Sequence, residues 1–475
     1  MSAGVGLAGL LGLCAWILFC RNFPVLAQWA GLGSGYGVLS GPSAALTSML
    51  FTAGPMAVWS VLVDKVHLRP STGLDWKLAR SVEEVLPVAS VKIIGLWATW
   101  AVLGAVYCLG RWYWDGGYLF AMEVLSLAIV PMIVLSVPYV IWLDRYMVDP
   151  VDATWHFGAL VTGRGGPVDG HLDGDGAVGD DGHIGGRAVD FEQVKKHWRA
   201  WAIKGFFGAF MISILPGGFA FVVEAELAAL MGNPVALVGL LVGFLFMIDV
   251  HMGTVGYVFT LRPLDAHIRS GNPLLAGWLA ALVCYPPFVV GIIGRDALIL
   301  GYEHSVAGWA HWMAGSPAML WVWGGWLVLL IAVYAWATVA FGIRFSNLTY
   351  RGVLTNGPYR FTRHPAYLTK NLFWWSSVLP FLVTNGSPVD AIRNCVFLLA
   401  VNGIYYWRAR TEEQHLLGED PKYREYYDWM EQNGLITAPL ARIKRKLTSH
   451  WIAPGNRAHG SRGGALAAHA QEPAE

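Results

Sequence analysis

Residues 119–143 read LFAMEVLSLAIVPMIVLSVPYVIWL, a run of 25 residues in which Glu123 is the only charged side chain. An α-helix of about 20 mostly apolar residues is long enough to cross the hydrocarbon core of a bilayer. Because a helix satisfies its own backbone hydrogen bonds, it can cross without water. This stretch therefore predicts a membrane-spanning helix.

Similar apolar stretches recur along the whole chain of 475 residues. The composition agrees, since 55% of the residues are hydrophobic and 14% are charged, which does not suit a soluble surface. We therefore predict an all-α fold, a polytopic transmembrane helical bundle of about ten helices. The predicted spans are Val5–Cys20, Ala44–Val63, Val91–Gly110, Leu119–Leu143, Ile203–Val223, Pro234–Thr260, Leu274–Gly294, Ala318–Phe341, Asn371–Thr384 and Val389–Trp407.

Basic residues are distributed unevenly between the loops. If the spans alternate, nearly all Lys and Arg fall in the loops after the second, fourth, sixth and eighth spans and in the C-terminal tail. Because basic loops resist translocation, this asymmetry predicts a multi-pass integral membrane protein with both termini in the cytosol. The first span has neither a basic region before it nor a small-residue cleavage site, so we interpret it as a membrane helix rather than a signal peptide.

The chain divides into five regions. Residues 1–150 hold N-terminal transmembrane helices, 151–200 a flexible Gly/Asp-rich cytosolic loop, and 201–345 central transmembrane helices. Residues 346–432 form a C-terminal module, and 433–475 form a basic amphipathic and then disordered tail. Within the tail, residues 440–451 alternate basic and apolar side chains, which is typical of a short helix on an anionic membrane surface.

Two groups of residues could suggest a metal site. The five cysteines all lie in apolar segments, and we expect them to be small core or lipid-facing residues. Residues 163–186 are rich in Gly, Asp and His but lack a calcium-loop pattern and zinc-ligand spacing. We therefore interpret this stretch as a linker and predict no metal site.

A polar loop follows the eighth span. Residues 347–367 read NLTYRGVLTNGPYRFTRHPAY, so Arg, Tyr and His are concentrated between two apolar segments. Gly357-Pro358 indicates a turn, and Pro365 is tolerated in the first turn of the helix that follows. The loop is therefore predicted to have a defined shape as well as charge.

A second polar cluster is predicted on the same side of the membrane. The turn NGSP at 385–388 joins the last two spans into a helical hairpin, after which residues 407–417 read WRARTEEQHLL. The hairpin should bring Glu412 and Glu413 to the polar loop and form a site for a ligand with cationic and anionic groups. Alternatively, the glutamates form a solvated helix face and the arginines and tyrosines are interfacial anchors.

Together these motifs resemble the C-terminal module of the isoprenylcysteine carboxyl methyltransferases, which phospholipid N-methyltransferases share. The resemblance covers roughly Asn347–Trp429 and includes Gly-Pro-Tyr-Arg at 357–360, Arg-His-Pro-x-Tyr at 363–367, Glu-Glu at 412–413 and Tyr-x-x-Tyr at 423–426. It implies an S-adenosylmethionine cofactor. The expected cofactor-binding residues are Gly357, Tyr359, His364, Pro365, Tyr367, Glu412 and Glu413.

The chemistry of this cofactor suits these side chains. Its ammonium suits Glu412 or Glu413, its carboxylate suits an arginine or backbone N–H groups, and its sulfonium suits the face of Tyr359 or Tyr367. Methyl transfer mainly requires in-line positioning of the acceptor. An amine, phenol or thiol acceptor must also lose a proton, whereas a carboxylate acceptor need not.

The resemblance is less complete for the residues that would hold the methyl acceptor. Isoprenylcysteine enzymes have an arginine shortly after the paired tyrosines, and none occurs in 426–430, so Arg344, Arg351 or Arg410 would have to hold an acceptor carboxylate. Upstream, Asp249 and His251 end the sixth span, where ionisable groups are costly. They predict an acceptor pocket or general base or, alternatively, an interhelical hydrogen-bonded pair. The expected catalytic residues are Arg363, Arg410, Asp249 and His251.

The predicted function is therefore that of an integral membrane methyltransferase, which uses S-adenosylmethionine to modify a lipid or a lipidated, isoprenoid-type substrate at the cytosolic membrane face. Its expected partners are membrane lipids and this substrate, not nucleic acid, and its oligomeric state stays open. One alternative is an NADPH-dependent sterol-type reductase of similar architecture, with Arg-His-x-Asn-Tyr and Asp-Glu motifs. Another is a non-catalytic lipid-binding protein.

Overall fold

A computed structural model of the protein describes residues 3–29, 38–164, 188–295 and 297–451. These residues form helices joined by loops and turns, with one two-stranded ribbon in which β1 (Ser270–Gly271) pairs antiparallel with β2 (Thr349–Tyr350). The helices are α1 (Ala3–Trp29), α2 (Pro42–Val58), α3 (Val82–Gly110), α4 (Leu119–Asp144), α5 (Ala153–Thr162), α6 (Phe191–Ile203), α7 (Ala209–Val223), α8 (Leu227–Leu230), α9 (Pro234–Val258), α10 (Leu275–Leu282), α11 (Trp309–Met313), α12 (Pro317–Phe341), α13 (Pro365–Val378), α14 (Pro388–Glu419), α15 (Pro421–Asn433) and α16 (Thr437–Trp451).

Seven segments of the described chain are long and apolar enough to cross a membrane. They correspond to the first six predicted spans and the eighth. The fold is therefore the predicted all-α membrane bundle, and the chain is a multi-pass integral membrane protein. The seven segments are Ala3–Phe23, Pro42–Val63, Val82–Gly110, Gly116–Asp144, Phe191–Val223, Pro234–Val258 and Pro317–Arg344.

The other three predicted spans are not long apolar helices. Residues 274–294 are helical only in α10, because Pro286 and Pro287 lack N–H donors and the chain continues through turns. The helix α13 has 14 residues, and at about 1.5 Å per residue it is too short to cross the bilayer core. The helix α14 has 32 residues but becomes polar in its C-terminal part. Helices α13 and α14 nevertheless form the predicted hairpin.

Close contacts between helices depend on small residues. A Cβ atom at Gly6 would lie 1.8 Å from the carbonyl oxygen of Val339, and one at Gly12 would lie 1.9 Å from that of Phe51. Glycine at these positions lets the backbone of α1 touch α12 and α2, a common way to pack helices in lipid. The start of α1 is thereby fixed against the end of α12.

The loops predicted on the basic side do meet at one end of the bundle. The side chain of Arg80 donates to the carbonyl of Met147 (2.7 Å), that of Arg262 to the carbonyl of Thr72 (3.4 Å), and that of Arg344 to Asp265 (2.5 Å). These bonds join the loops after α2, α4, α9 and α12. We call this the basic end, and the ribbon and the C-terminal module begin there.

Two predicted features fall on residues for which the structure gives no description. These are most of the Gly/Asp/His-rich linker, residues 165–187, and the tail beyond residue 451. The short amphipathic helix predicted before that tail is present as α16.

Candidate functional site

One glycine shapes the polar loop between α12 and α13. Gly357 has a left-handed backbone, with φ of +57°, and begins a 3-10 turn that packs on α12. A Cβ at this position would lie 3.2 Å from the Cβ of Ala340, so both conformation and space favour glycine. Gly357 therefore sets the course of the loop towards α13.

The start of α13 positions the Arg-His-Pro-x-Tyr motif. Pro365 is the first helical residue, a position that tolerates the missing N–H group, and His364 precedes it. The rings of His364 and Tyr367 stack, with centroids 5.7 Å apart and planes inclined by 13°. Arg363, His364 and Tyr367 are thus presented together where the loop becomes helix.

Glu413 on α14 binds three basic side chains. Its Oε1 accepts a hydrogen bond from Nε of Arg363 (2.7 Å) and lies 3.0 Å from Nε2 of His364, while its Oε2 accepts from Nη1 of Arg410 (2.6 Å). Burial alone would raise the pKa of Glu413, but the hydrogen bond and charge of His364, together with Arg363, lower it to about 2. The carboxylate is therefore ionised and fully engaged by the protein.

Arg363 also fixes the next helix. Its Nη1 donates to Oε1 of Glu431 (3.0 Å), and its guanidinium lies 4.0 Å from the ring centroid of Tyr427. Both partners belong to α15. The loop, α14 and α15 are thereby held together through one guanidinium.

Glu412 has a different environment from its neighbour. Its Oε1 accepts a hydrogen bond from the hydroxyl of Tyr367 (2.5 Å) and lies 3.6 Å from Nε of Arg408. The guanidinium of Arg408 in turn lies 5.2 Å from the ring centroid of Tyr367. The loop and the glutamate pair, which the sequence predicted to converge, are therefore in direct contact.

A cavity of about 180 Å³ opens beside these contacts, between the loop and helices α9, α12, α13, α14 and α15. Its wall is rich in tyrosine, with Tyr334, Tyr359, Tyr367, Tyr405, Tyr423 and Tyr426. Of the expected cofactor-binding residues, those that line it are Tyr359, His364, Tyr367 and Glu412. Those that support it from behind are Gly357, Pro365 and Glu413.

The cavity extends to a carboxylate within a membrane span. Asp249 of α9 accepts hydrogen bonds from the hydroxyl of Tyr334 (2.8 Å) and from that of Thr338 (2.5 Å), both on α12. Nζ of Lys370 lies 5.5 Å from the ring centroid of Tyr334. All four residues line the cavity. Sequence reasoning missed Tyr334 and Thr338, although their spacing of four puts two hydroxyls on one helix face.

Two of the expected catalytic residues lie elsewhere. His251 is completely buried, with Nε2 2.7 Å from Oγ of Ser48 and Nδ1 2.8 Å from the carbonyl oxygen of Met247. Ser48 belongs to α2, so this is an interhelical contact of the kind given as the alternative. The side chain of Arg410 is 43% exposed and contacts Glu413. The structure therefore brings Arg363 and Asp249 to the cavity and leaves His251 and Arg410 outside its wall.

The arginines of the cavity wall mostly have internal partners. Arg344 pairs with Asp265, and Arg351 donates to the carbonyls of Gly256 (2.9 Å) and Phe345 (3.0 Å). Burial, followed by the charge of Arg344, lowers the pKa of Arg351 to about 9. Arg408 donates to Oδ1 of Asn347 (2.6 Å), but its Nε is buried without a hydrogen-bond partner among the described residues.

These features define the class of protein: an all-α membrane bundle with a polar, tyrosine-lined cavity where its C-terminal module begins. Residues 312–429, about a quarter of the chain, match the sequence profile of a family described as "Protein of unknown function (DUF1295)". The comparisons with curated proteins and with solved structures give no match. The matched range contains the polar loop, the hairpin and both glutamates.

Proposed function

We propose that the protein is an S-adenosylmethionine-dependent methyltransferase, which acts on a lipid or a lipidated, isoprenoid-type substrate at the cytosolic membrane face. One observation carries the proposal: Tyr367 of the Arg-His-Pro-x-Tyr motif donates a hydrogen bond to Glu412 of the Glu-Glu motif beside a cavity. In the methyltransferases that these motifs resemble, both motifs hold the cofactor.

The wall of the cavity fits the charged groups of this cofactor. Oε2 of Glu412 accepts no hydrogen bond from the described residues and can take an ammonium group, whereas both oxygens of Glu413 are occupied. The buried Nε of Arg408 lies 3.6 Å from Oε1 of Glu412 but makes no hydrogen bond to the described residues, so it can donate one to a carboxylate. Tyrosine faces around the cavity suit a sulfonium, since aromatic rings attract cations. Glu412 therefore binds the ammonium group of the cofactor, and Glu413 holds the polar loop in place.

When bound, S-adenosylmethionine would supply an electrophilic methyl group for in-line transfer to an acceptor. The chain's own contribution is to position both partners and to exclude water. Asp249 lies on the wall formed by the membrane spans, where a lipid-derived acceptor would enter. Its carboxylate can accept the proton that an amine or hydroxyl acceptor loses. Tyr334 and Thr338 orient that carboxylate through their hydrogen bonds.

The cytosolic position of the cavity is part of the proposal. The basic loops converge at one end of the bundle, and basic residues favour the cytosolic side. The start of α1 lies at this end, since Val5 and Gly6 contact Gly342 just before the polar loop. The glutamate pair near the end of α14 lies there too, so we propose that both termini are cytosolic.

Ligand-dependent stability of the purified full-length protein tests the proposal. S-adenosylhomocysteine should raise the melting temperature of the wild type, because a ligand that binds only the folded state stabilises it. Glu412→Gln should abolish this rise. Glu425→Gln, which changes an exposed glutamate of α15, should retain it. The proposal would be contradicted if neither S-adenosylmethionine nor S-adenosylhomocysteine, at millimolar concentration, changed the melting temperature of the wild type.

A reductase is the second candidate, and the family match favours it. The family matched by residues 312–429 comprises steroid 5-alpha reductase-like membrane proteins. Against it, this chain has Ala366 where the reductase loop has Asn, and Glu412 before Glu413 where the reductases have Asp-Glu. Stabilisation by NADPH instead of S-adenosylhomocysteine would favour the reductase. Stabilisation by neither would favour a non-catalytic lipid-binding protein.

A further inference from the structure

A second cavity, of about 690 Å³, also lies at the basic end. It lies between α3, α4, α6, the start of α5 with the loop before it, and residues 260–270. Apolar side chains of two candidate spans, Leu96, Val140 and Leu143, form one part of its wall. The rest of the wall is strongly polar and includes several basic residues. The cavity thus offers an apolar and a charged surface to the same ligand.

The carboxylates of this wall are engaged by the protein itself. Asp152 lies 3.4 Å from Nζ of Lys92 and 3.3 Å from Nη2 of Arg262. Asp149 and Asp190 each accept a hydrogen bond from a backbone N–H group two residues ahead, at 3.0 Å and 2.8 Å. These contacts balance the charges of the acidic residues, and of Lys92 and Arg262, without a ligand.

The side chain of Lys204 has no such internal partner among the described residues. It begins a π-helical turn, residues 204–208, between α6 and α7, and such turns are frequent at functional sites. Its Nζ lies 4.3 Å from the ring centroid of Trp201, and among the described residues it makes no hydrogen bond or ion pair. Because Lys204 and Trp201 both line the cavity, the side-chain nitrogen of Lys204 is available to a ligand.

His267 indicates that the same wall carries excess positive charge. Its buried Nδ1 has no hydrogen-bond partner within the described part of the chain. Burial and the charges of four nearby arginines lower the pKa of His267 to about 2, so the ring is neutral at physiological pH. The four arginines, in order of their effect, are Arg262, Arg269, Arg351 and Arg344. Arg262 and Arg269 line this cavity, whereas Arg351 and Arg344 line the first one. Arg269 and Arg344 share a single carboxylate, that of Asp265.

We propose that this cavity binds a phosphate-bearing anion through Lys204 and the neighbouring Arg269, and that an anionic phospholipid supplies the phosphate. A phosphate has several acceptor oxygens, which suit an ammonium beside guanidinium groups. A lipid is favoured over a free anion because Leu96, Val140 and Leu143 form an apolar surface, suited to acyl chains, beside the charged surface. Anionic lipids are also abundant in the leaflet that basic loops face.

The phosphate site would be separated from the first cavity by a thin wall. Ser270 of β1 lines the second cavity, and its hydroxyl lies 3.0 Å from Nε2 of His415, which lines the first. A bound lipid would therefore sit beside the candidate functional site. The site itself does not depend on the reaction proposed for the first cavity.

Native mass spectrometry of the full-length protein in a neutral detergent tests this site. Dioleoyl phosphatidic acid and dioleoyl glycerol carry the same chains, so the difference in their binding measures the phosphate. We expect phosphatidic acid to bind roughly tenfold more tightly, and Lys204→Gln to remove that advantage. Lys204→Arg keeps the charge and should retain it. Lys195→Gln, on the exposed side of α6, is the matched control and should also retain it.

Competition by inorganic phosphate distinguishes a lipid ligand from a soluble phosphate ester. Inorganic phosphate that displaces phosphatidic acid at millimolar concentration would support the site and identify soluble phosphate esters as its ligands. Failure of inorganic phosphate to compete would support the lipid source. Equal binding of phosphatidic acid and dioleoyl glycerol, or unchanged binding by a folded Lys204→Gln variant, would overturn the proposal.

Discussion

Tyr367 donates a hydrogen bond of 2.5 Å to Glu412, although the two residues are 45 positions apart in the chain. The bond joins the first turn of α13 to the polar part of α14 at the edge of a cavity. The adjacent Glu413 instead binds Arg363, His364 and Arg410. Two consecutive glutamates therefore have separate contacts: Glu412 lines the cavity, and Glu413 fastens the polar loop beside it.

Replacing Glu413 should mainly destabilise the protein. Glu413→Gln removes the buried carboxylate that Arg363, His364 and Arg410 share, and breaking a buried ion pair commonly costs about 3 kcal/mol. We expect a clear fall in the melting temperature without ligand, measured by scanning fluorimetry in detergent. Glu425→Gln should change it little, because that glutamate is exposed. Equal melting temperatures for Glu413→Gln and wild type would refute the fastening role.

Glu413 should also make the stability of the protein depend on pH. The pKa of Glu413 is about 2 in the folded protein and ordinarily 4.5, so folding favours its ionised form. Its contribution to stability is present above pH 4.5 and is lost as the pH falls towards 2. The difference in melting temperature between wild type and Glu413→Gln should therefore be large at pH 7 and small near pH 2.5. A difference that does not depend on pH would exclude this assignment.

Asp249 should affect the reaction rather than cofactor binding. If it accepts a proton from an amine or hydroxyl acceptor, Asp249→Asn should lower kcat by about 100-fold or more. The affinity for S-adenosylhomocysteine should stay within a few-fold of the wild type. His251→Gln changes another buried polar contact of α9 outside the cavity wall and should leave the kcat of the folded protein unchanged. An undiminished kcat in Asp249→Asn would favour a carboxylate acceptor.

Cysteine labelling should establish the orientation. In a cysteine-free background, Asp115→Cys lies between α3 and α4, and Glu425→Cys lies on α15, at opposite ends of the bundle. A membrane-impermeant maleimide should label Asp115→Cys in intact cells and Glu425→Cys only after permeabilisation, as expected if the basic end is cytosolic. The reverse pattern would place the cavity on the outer side.

The sequence predicted the membrane bundle well because apolar length is a local property. It was less reliable at residues 274–294, where Pro286 and Pro287 interrupt the helix and turns replace it. Such a segment is tolerated where other protein elements cover it, and α10 packs against α14. Whether an apolar stretch is covered depends on its neighbours in space, which one sequence does not reveal.

The site was predictable in part for the same reason. The turn at 385–388 implied a hairpin, and the hairpin implied that Glu412 would return to the loop containing Tyr367. The direction of a side chain on a long helix was not predictable. His251 lies only two residues from Asp249, yet it faces Ser48 of α2 while Asp249 faces the cavity. Tyr334 and Thr338 became meaningful only when α12 was placed against α9.

Isothermal titration of S-adenosylhomocysteine into the purified protein tests the central claim most directly. We predict saturable binding by the wild type with one ligand per chain. Glu412→Gln should weaken that binding at least about tenfold, as expected for a lost charge-assisted contact. Glu425→Gln should bind like the wild type. Binding of NADPH in place of S-adenosylhomocysteine, or equal affinity in the wild type and Glu412→Gln, would contradict the account.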